Sequence, residues 1–156
     1  MGKRNAGFTL IELVVTLSVI AILAALALPR YIALQTHARE TKTQALFGGL
    51  RSAAALAHAQ VLASNTVTSG AAVISMEGQN VNIVHGYPTA DASGIITATQ
   101  INPLADQITV SGGGPAAGDL LTIDINGGMA GTCTVTYRAS VAPNTAPVIA
   151  SSTTGC

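Results

Sequence analysis

The feature that most constrains this chain is the run from Phe8 to Leu28, "FTLIELVVTLSVIAILAALAL", in which only Thr9, Glu12, Thr16 and Ser18 are not apolar. As a helix, its 21 residues would reach about 32 Å at 1.5 Å per residue, about the thickness of a bilayer's hydrocarbon core. Lys3 and Arg4 precede the run and would hold the N-terminus in the cytoplasm, sending the rest of the chain across. Arg30 and its neighbours weaken that asymmetry. Glu12 is the anomaly, because a carboxylate inside hydrocarbon is costly and such residues are usually paired and functional.

A conventional secretory signal has a shorter apolar core that ends in a small-residue cleavage site, a pattern that "ALALP" partly meets. No cysteine follows the run to accept a lipid. Beyond it, the 156-residue chain retains enough length for one ordinary domain. Charged residues make up 9% of the chain and apolar ones 49%, so much of its surface is expected to meet lipid or other protein. Arg30, Arg39, Lys42 and Arg51 against Glu40 make the segment after the run basic. From residue 52 on, Arg138 alone stands against Glu77, Asp91, Asp106, Asp119 and Asp124. An acidic head argues against nucleic acid as its main partner, since phosphate affinity comes largely from Lys and Arg.

The N-terminal string "KRNAGFTLIELVV", with Gly7 before Phe8 and Glu12 shortly after, resembles the processing signal of type IV pilins and type II secretion pseudopilins. The resemblance implies that residues 1–7 are a leader, cut between Gly7 and Phe8 by a membrane-embedded prepilin peptidase on the cytoplasmic side, and that the new amine of Phe8 is N-methylated. The anchor would then stay on the mature chain. It also gives Glu12 a partner. The Phe8 amine is four residues away, so a pair within one helix is one reading. The family's reading, which we favour, pairs Glu12 with the Phe8 amine of a neighbouring subunit, so that burial of the carboxylate is relieved only when subunits line up in register.

The rest of the chain reads as a spine and a head. Pro29 deletes one helical hydrogen bond and predicts a kink near Ala25 to Pro29, with termination of the helix as the alternative. Residues 8–29 then form the transmembrane or filament-core half of the helix, and residues 30–64 an amphipathic half. In the latter, Leu46, Leu50, Ala53, Ala57 and Val61 recur at helical spacing, while Gly48 and Gly49 permit bending or close packing. Residues 65–156 form a β-rich head, with "AAVISME", "NVNIVHGY", "DQITVSG", "DLLTIDIN" and "TCTVTYRAS" as strands and "GGGPAAG" and "NGGMAG" as turns. "PTADASGIITATQI" is a short helix or an irregular connector. The predicted fold is α+β, a long helix packed on an antiparallel sheet, which is also the arrangement that pilins share.

Cys133 and Cys156 are the two cysteines, and in an exported chain they most simply form a disulfide, metal binding being the rival. Type IV pilins often close a similar C-terminal loop, which makes "RASVAPNTAPVIASSTTG" the candidate contact surface. "VNIVHGYPTADASGIITA" and "GTCTVTYRAS", with the final cysteine, are similar to pilins of the mannose-sensitive haemagglutinin (MSHA) type, and no dense Asp cluster of a pseudopilin calcium loop is present near the C-terminus.

Searching for catalysis yields little. His37, His58 and His85 fit no metal-ligand spacing and read as residues of helix faces and a strand; Asp119 and Asp124 are oddly spaced for a carboxylate pair. "SGGGPAAGD" lacks the lysine and hydroxyl of a phosphate loop, and five scattered aromatics make no base-stacking surface. We therefore expect neither metal nor cofactor. What the resemblance implies is a structural subunit of a helical homopolymer, held in the inner membrane, then driven by an assembly platform into a surface filament for attachment, motility or biofilm formation. A type II secretion pseudopilin, a minor pilin and a membrane-anchored periplasmic enzyme are the alternatives.

Overall fold

The computed structural model describes residues 7–66 and 69–156; the expectations for Lys3, Arg4 and the rest of the leader before Gly7 lie outside them. The chain divides into two units, one ending at His37 and the other comprising Ala38–Cys156.

One helix, α1 (Leu10–Ala63), dominates the element order. Pro29 lies inside α1 and does not end it. In the first unit every residue from Gly7 to Gln35 is exposed, including Leu10, Leu17, Ile22 and Leu28. At its other end α1 closes with Asn65 in the left-handed region (φ 51°). There the Thr66 N–H donates to Val61 O at 3.1 Å and the Asn65 N–H to Leu62 O at 3.4 Å, the paired bonds of a Schellman cap.

In the second unit the predicted apolar stripe meets the core. Leu50, Ala53, Ala57 and Val61 are buried, and Leu46 packs partly against them. Thr43 and Ala54 are buried as well. Gly48 and Gly49 are exposed, with open space where a Cβ would stand, so nothing among the described residues requires their small size.

The α+β fold is as expected, and among the described residues its antiparallel strands divide into two sheets. The first has the order β1 (Ala71–Met76), β2 (Gln79–Val84), β3 (Tyr87–Pro88). Its two-residue turns, Glu77–Gly78 (φ 49° and 80°) and His85–Gly86 (φ 52° and 83°), have the positive angles that tight hairpins require. "NVNIVHGY" is therefore two strands, and His85 is a turn residue rather than a satisfied strand residue; its Nδ1 is buried without a partner among the described residues. A short wide turn (Ala92–Ile96) runs into one α-helical turn, α2 (Thr97–Thr99), and places Ile95 and Ile96 in the core.

The second sheet is a meander of β4 (Ile108–Gly112), β5 (Leu120–Ile125), β6 (Thr134–Arg138) and β7 (Val148–Ser152). Leu121 faces Tyr137 and Ile123 faces Val135 across β5 and β6, and all four are buried, the alternation expected of a sheet with one covered face. The two glycine-rich turns fall where predicted, between β4 and β5 and between β5 and β6. β7 was not expected. It lies within the segment between the cysteines and forms a largely exposed edge of the sheet.

Tyr137 connects the sheets. It is fully buried on β6, and its hydroxyl donates to the carbonyl of Pro88 on β3 at 2.7 Å. Burial, with Tyr87 as a smaller influence, pushes its phenol well above the ordinary value of 10.0. An unfolded chain thus loses this proton first, so its contribution is complete below about pH 10 and falls as pH rises further, with a limiting slope of about 1.4 kcal/mol per pH unit. Tyr137→Phe is expected to flatten that alkaline slope and to cost about 1 kcal/mol at neutral pH by orphaning the Pro88 carbonyl. Urea unfolding at pH 7 and above pH 10 checks both; an equal slope in the two proteins would refute the assignment.

Candidate assembly site

The segment that carries Glu12 is built on a threonine cap. Thr9 stands just before α1, and its Oγ1 accepts the Glu12 backbone N–H at 3.3 Å, satisfying one of the donors that a helix start leaves open. Thr9-Leu10-Ile11-Glu12 has the Thr-x-x-Glu spacing of a capping box, which places Glu12 in the first turn near the positive end of the helix dipole. That signal was present in the sequence. It is easily passed over when Glu12 is weighed as a membrane charge alone.

The other polar groups of the run turn back on the helix. Thr16 Oγ1 donates to Glu12 O and Leu13 O at 2.9 Å, and Ser18 Oγ to Val14 O at 2.8 Å. The Glu12 carboxylate differs. Among the described residues it has neither a hydrogen-bond nor an ion-pair partner. Phe8 is 80% exposed and precedes α1; its nitrogen is here the amide joined to Gly7, so a pairing of a Phe8 amine with Glu12 belongs to the cleaved chain. Gly7 is exposed beside it.

At the other end of the chain, Cys133 and Cys156 are joined by a disulfide. Cys133 is buried, and Thr43 Oγ1 lies 3.6 Å from both sulfurs while donating to Arg39 O at 2.9 Å. A Cβ at Gly128 would stand 2.6 Å from Cys133 Cβ, so glycine there lets the β5–β6 turn close over the bond. Two basic residues of α1 are engaged nearby: Arg39 Nη1 donates to Cys156 O at 2.7 Å, and Lys42 Nζ to the carbonyls of Asp106 and Gln107. Neither contact is visible in a sequence, because the acceptors are backbone oxygens. Arg30 and Arg51 have no such partner among the described residues.

His58, Asp119 and Asp124 have structural employment. His58 stacks on Tyr87 with ring centroids 4.2 Å apart, and its Nδ1 lies 3.0 Å from Gly86 O, which fixes that nitrogen as the donor. Asp119 accepts the Ala116 N–H and Asp124 the Gly131 N–H, each at 2.9 Å, so both carboxylates hold turns. Among the described residues no three His, Cys, Asp or Glu side chains gather as a metal site.

Residues 2–28 match the family model of the prokaryotic N-terminal methylation motif. Over most of its length the chain is similar to the type IV narrow pilus major component PilA5 of Thermus thermophilus, with 33% identity over 121 residues, covering 78% of this chain and 99% of that protein. The chain is a type IV pilin. This pilin also matches the type IV major pilin protein PilA of Myxococcus xanthus, 42% identical over 43 residues that cover 28% of this chain and 20% of that one. A fimbrial protein of Neisseria meningitidis is 33% identical over 96 residues, 58% of this pilin and 56% of the relative. No solved structure matches the chain. A type IV pilin is a structural subunit of a filament and carries the signal read by a prepilin peptidase, and the exposed, largely apolar segment from Gly7 to Gln35 of this pilin suits both membrane insertion and packing in a filament.

Proposed function

We propose that this pilin is the major subunit of an MSHA-like type IVa pilus. The observation that supports this most is an apolar helical segment, exposed from Gly7 to Gln35 and carrying a single unpartnered carboxylate, on a chain similar over its length to a pilus major component. Such a surface must be covered by lipid or by other copies of itself. In this reading the peptidase cuts between Gly7 and Phe8, Phe8 is N-methylated, and the subunit waits in the inner membrane. An ATP-driven platform then extracts it, and Glu12 pairs with the Phe8 amine of a neighbour as the apolar segments pack. Pro29, which cannot donate to the Ala25 carbonyl, gives the segment a place to bend during that transfer. Repetition of one heterologous contact produces an open fibre, displayed on the cell surface for attachment, surface motility or biofilm formation.

With Arg39 and Lys42 engaged in their own head, any pairing of basic stem with acidic head between subunits falls to Arg30 and Arg51. The pilus and fimbrial names of the relatives favour this reading over a type II secretion pseudopilin. Shearing filaments from cells that make the chain tests it: this protein should be their main constituent, and filaments in which it is a trace component would contradict the major-subunit role.

A further inference from the structure

Leu104 is, at 92%, the most exposed large apolar side chain among the described residues. It does not sit on a loose tip. Asn102 Oδ1 accepts the N–H groups of Leu104 and Ala105 at 3.2 Å, Asp106 Oδ2 accepts the Asn102 N–H at 2.9 Å, and the Asp106 N–H returns to Asn102 O at 2.8 Å. Lys42 ties the same turn to α1 through the Asp106 carbonyl. A turn bonded this thoroughly holds the apolar side chain of Leu104 in water as a fixed knob.

A matching hollow lies elsewhere on the head. Phe47, Arg51 and Ala55 on α1 face Tyr87, Pro147 and the first two residues of β7, Val148 and Ile149, across a space of about 600 Å³. The stacked His58–Tyr87 pair stiffens one wall, and Arg51, exposed in the lining, has no hydrogen-bond or ion-pair partner among the described residues.

Knob and hollow belong to opposite flanks of the helix. Lys42, Ala45 and Gly49 border the turn segment through Ile101 and Asp106, whereas Phe47, Arg51 and His58 border the hollow. At about 100° per residue these two sets point to nearly opposite sides. One two-fold contact cannot then satisfy both, and a knob-to-hollow contact between copies repeats into an open array. The charges agree as well, since Asp106 lies two residues from the Leu104 knob and Arg51 stands in the hollow.

We propose that Leu104 of one subunit docks in the Phe47–Arg51–Tyr87–Pro147 hollow of the next copy of this chain, with Asp106 brought towards Arg51. The proposal rests on the filament reading above and names the head-to-head contact within it. Leu104→Asp is expected to lower filament yield about tenfold or more while the membrane pool of subunit stays at its normal level; an unchanged yield overturns the proposal. In filaments from Leu104→Cys/Ala55→Cys, a short bis-maleimide should give a ladder of covalent multimers that neither single variant gives. Monomers alone, or coupling of Ala55→Cys to a different protein at normal filament yield, would assign the hollow elsewhere and overturn it. If the unsubstituted chain forms no filament, the pilus reading fails and takes this contact with it; if it forms filaments without the ladder, only the contact fails.

Discussion

Glu12→Gln is expected to reduce filament yield by about tenfold or more, with the leader still removed and the subunit still in the membrane. The choice of glutamine separates two roles. The cap is made by Thr9 Oγ1 and the backbone N–H of residue 12, so it survives the substitution. An ion pair with a neighbour's Phe8 amine does not, and the amine is left as an uncompensated buried charge, the costly outcome whenever one member of a buried pair is removed. Only the weak attraction to the helix dipole is lost in both cases, too small a change to empty the filament pool. Electron-microscopic counts of filaments, set against immunoblots of the membrane fraction, would measure the effect. Normal filament numbers would make Glu12 a local helix-start residue and no more.

Cys156→Ser is expected to lower the stability of the head by about 3 kcal/mol. The bond joins residues separated by 23 positions, and closing a loop of that size removes about that much chain entropy from the unfolded state. Its surroundings add to the dependence: Thr43 packs on both sulfurs, and Arg39 holds the Cys156 carbonyl. Without the bond, Cys133 remains buried as a lone thiol and the chain after β7 loses its covalent anchor. Denaturant unfolding of the detergent-solubilised chain, followed by tyrosine fluorescence in a Tyr31→Phe background so that Tyr87 and Tyr137 of the head report alone, would give the difference. A loss below about 1 kcal/mol would mean that noncovalent packing alone secures the terminus.

The parts of this fold legible in the sequence are those where one interaction dominates a segment. Burial imposes a helical period on Leu50, Ala53, Ala57 and Val61, and an alternating one on Leu121, Ile123 and Ile125, so these faces can be read directly. Thr43 escaped because a search for apolar spacing passes over a hydroxyl, although this one is buried and satisfied by its own helix and the disulfide. β7 escaped because "VIASS" follows a proline and is rich in small polar residues, as a loop would be; its strand form comes from pairing with β6, a long-range influence that no local pattern records. The split of "NVNIVHGY" turned on one backbone angle, with His85 in a left-handed conformation that more often falls to Asn or Gly.

The assembly site divides in the same way. Gly7, Phe8 and Glu12 stand out because a charge in an apolar run has few explanations, and the methylation motif covers all three. The engagement of Arg39 and Lys42 with their own head did not stand out. Composition presents them as free positive charge, whereas the fold turns them to backbone carbonyls and leaves Arg51 beside an apolar hollow.

In the proposed function, this chain becomes a filament subunit only after a new amine is made at Phe8. Mass spectrometry of the N-terminal peptide from the main protein of sheared surface filaments tests it most directly. The account predicts a peptide that begins at Phe8 and carries one methyl group on its amine. A peptide beginning at Met1, or one beginning after Ala27 or Leu28 as a conventional signal would leave it, would contradict the account.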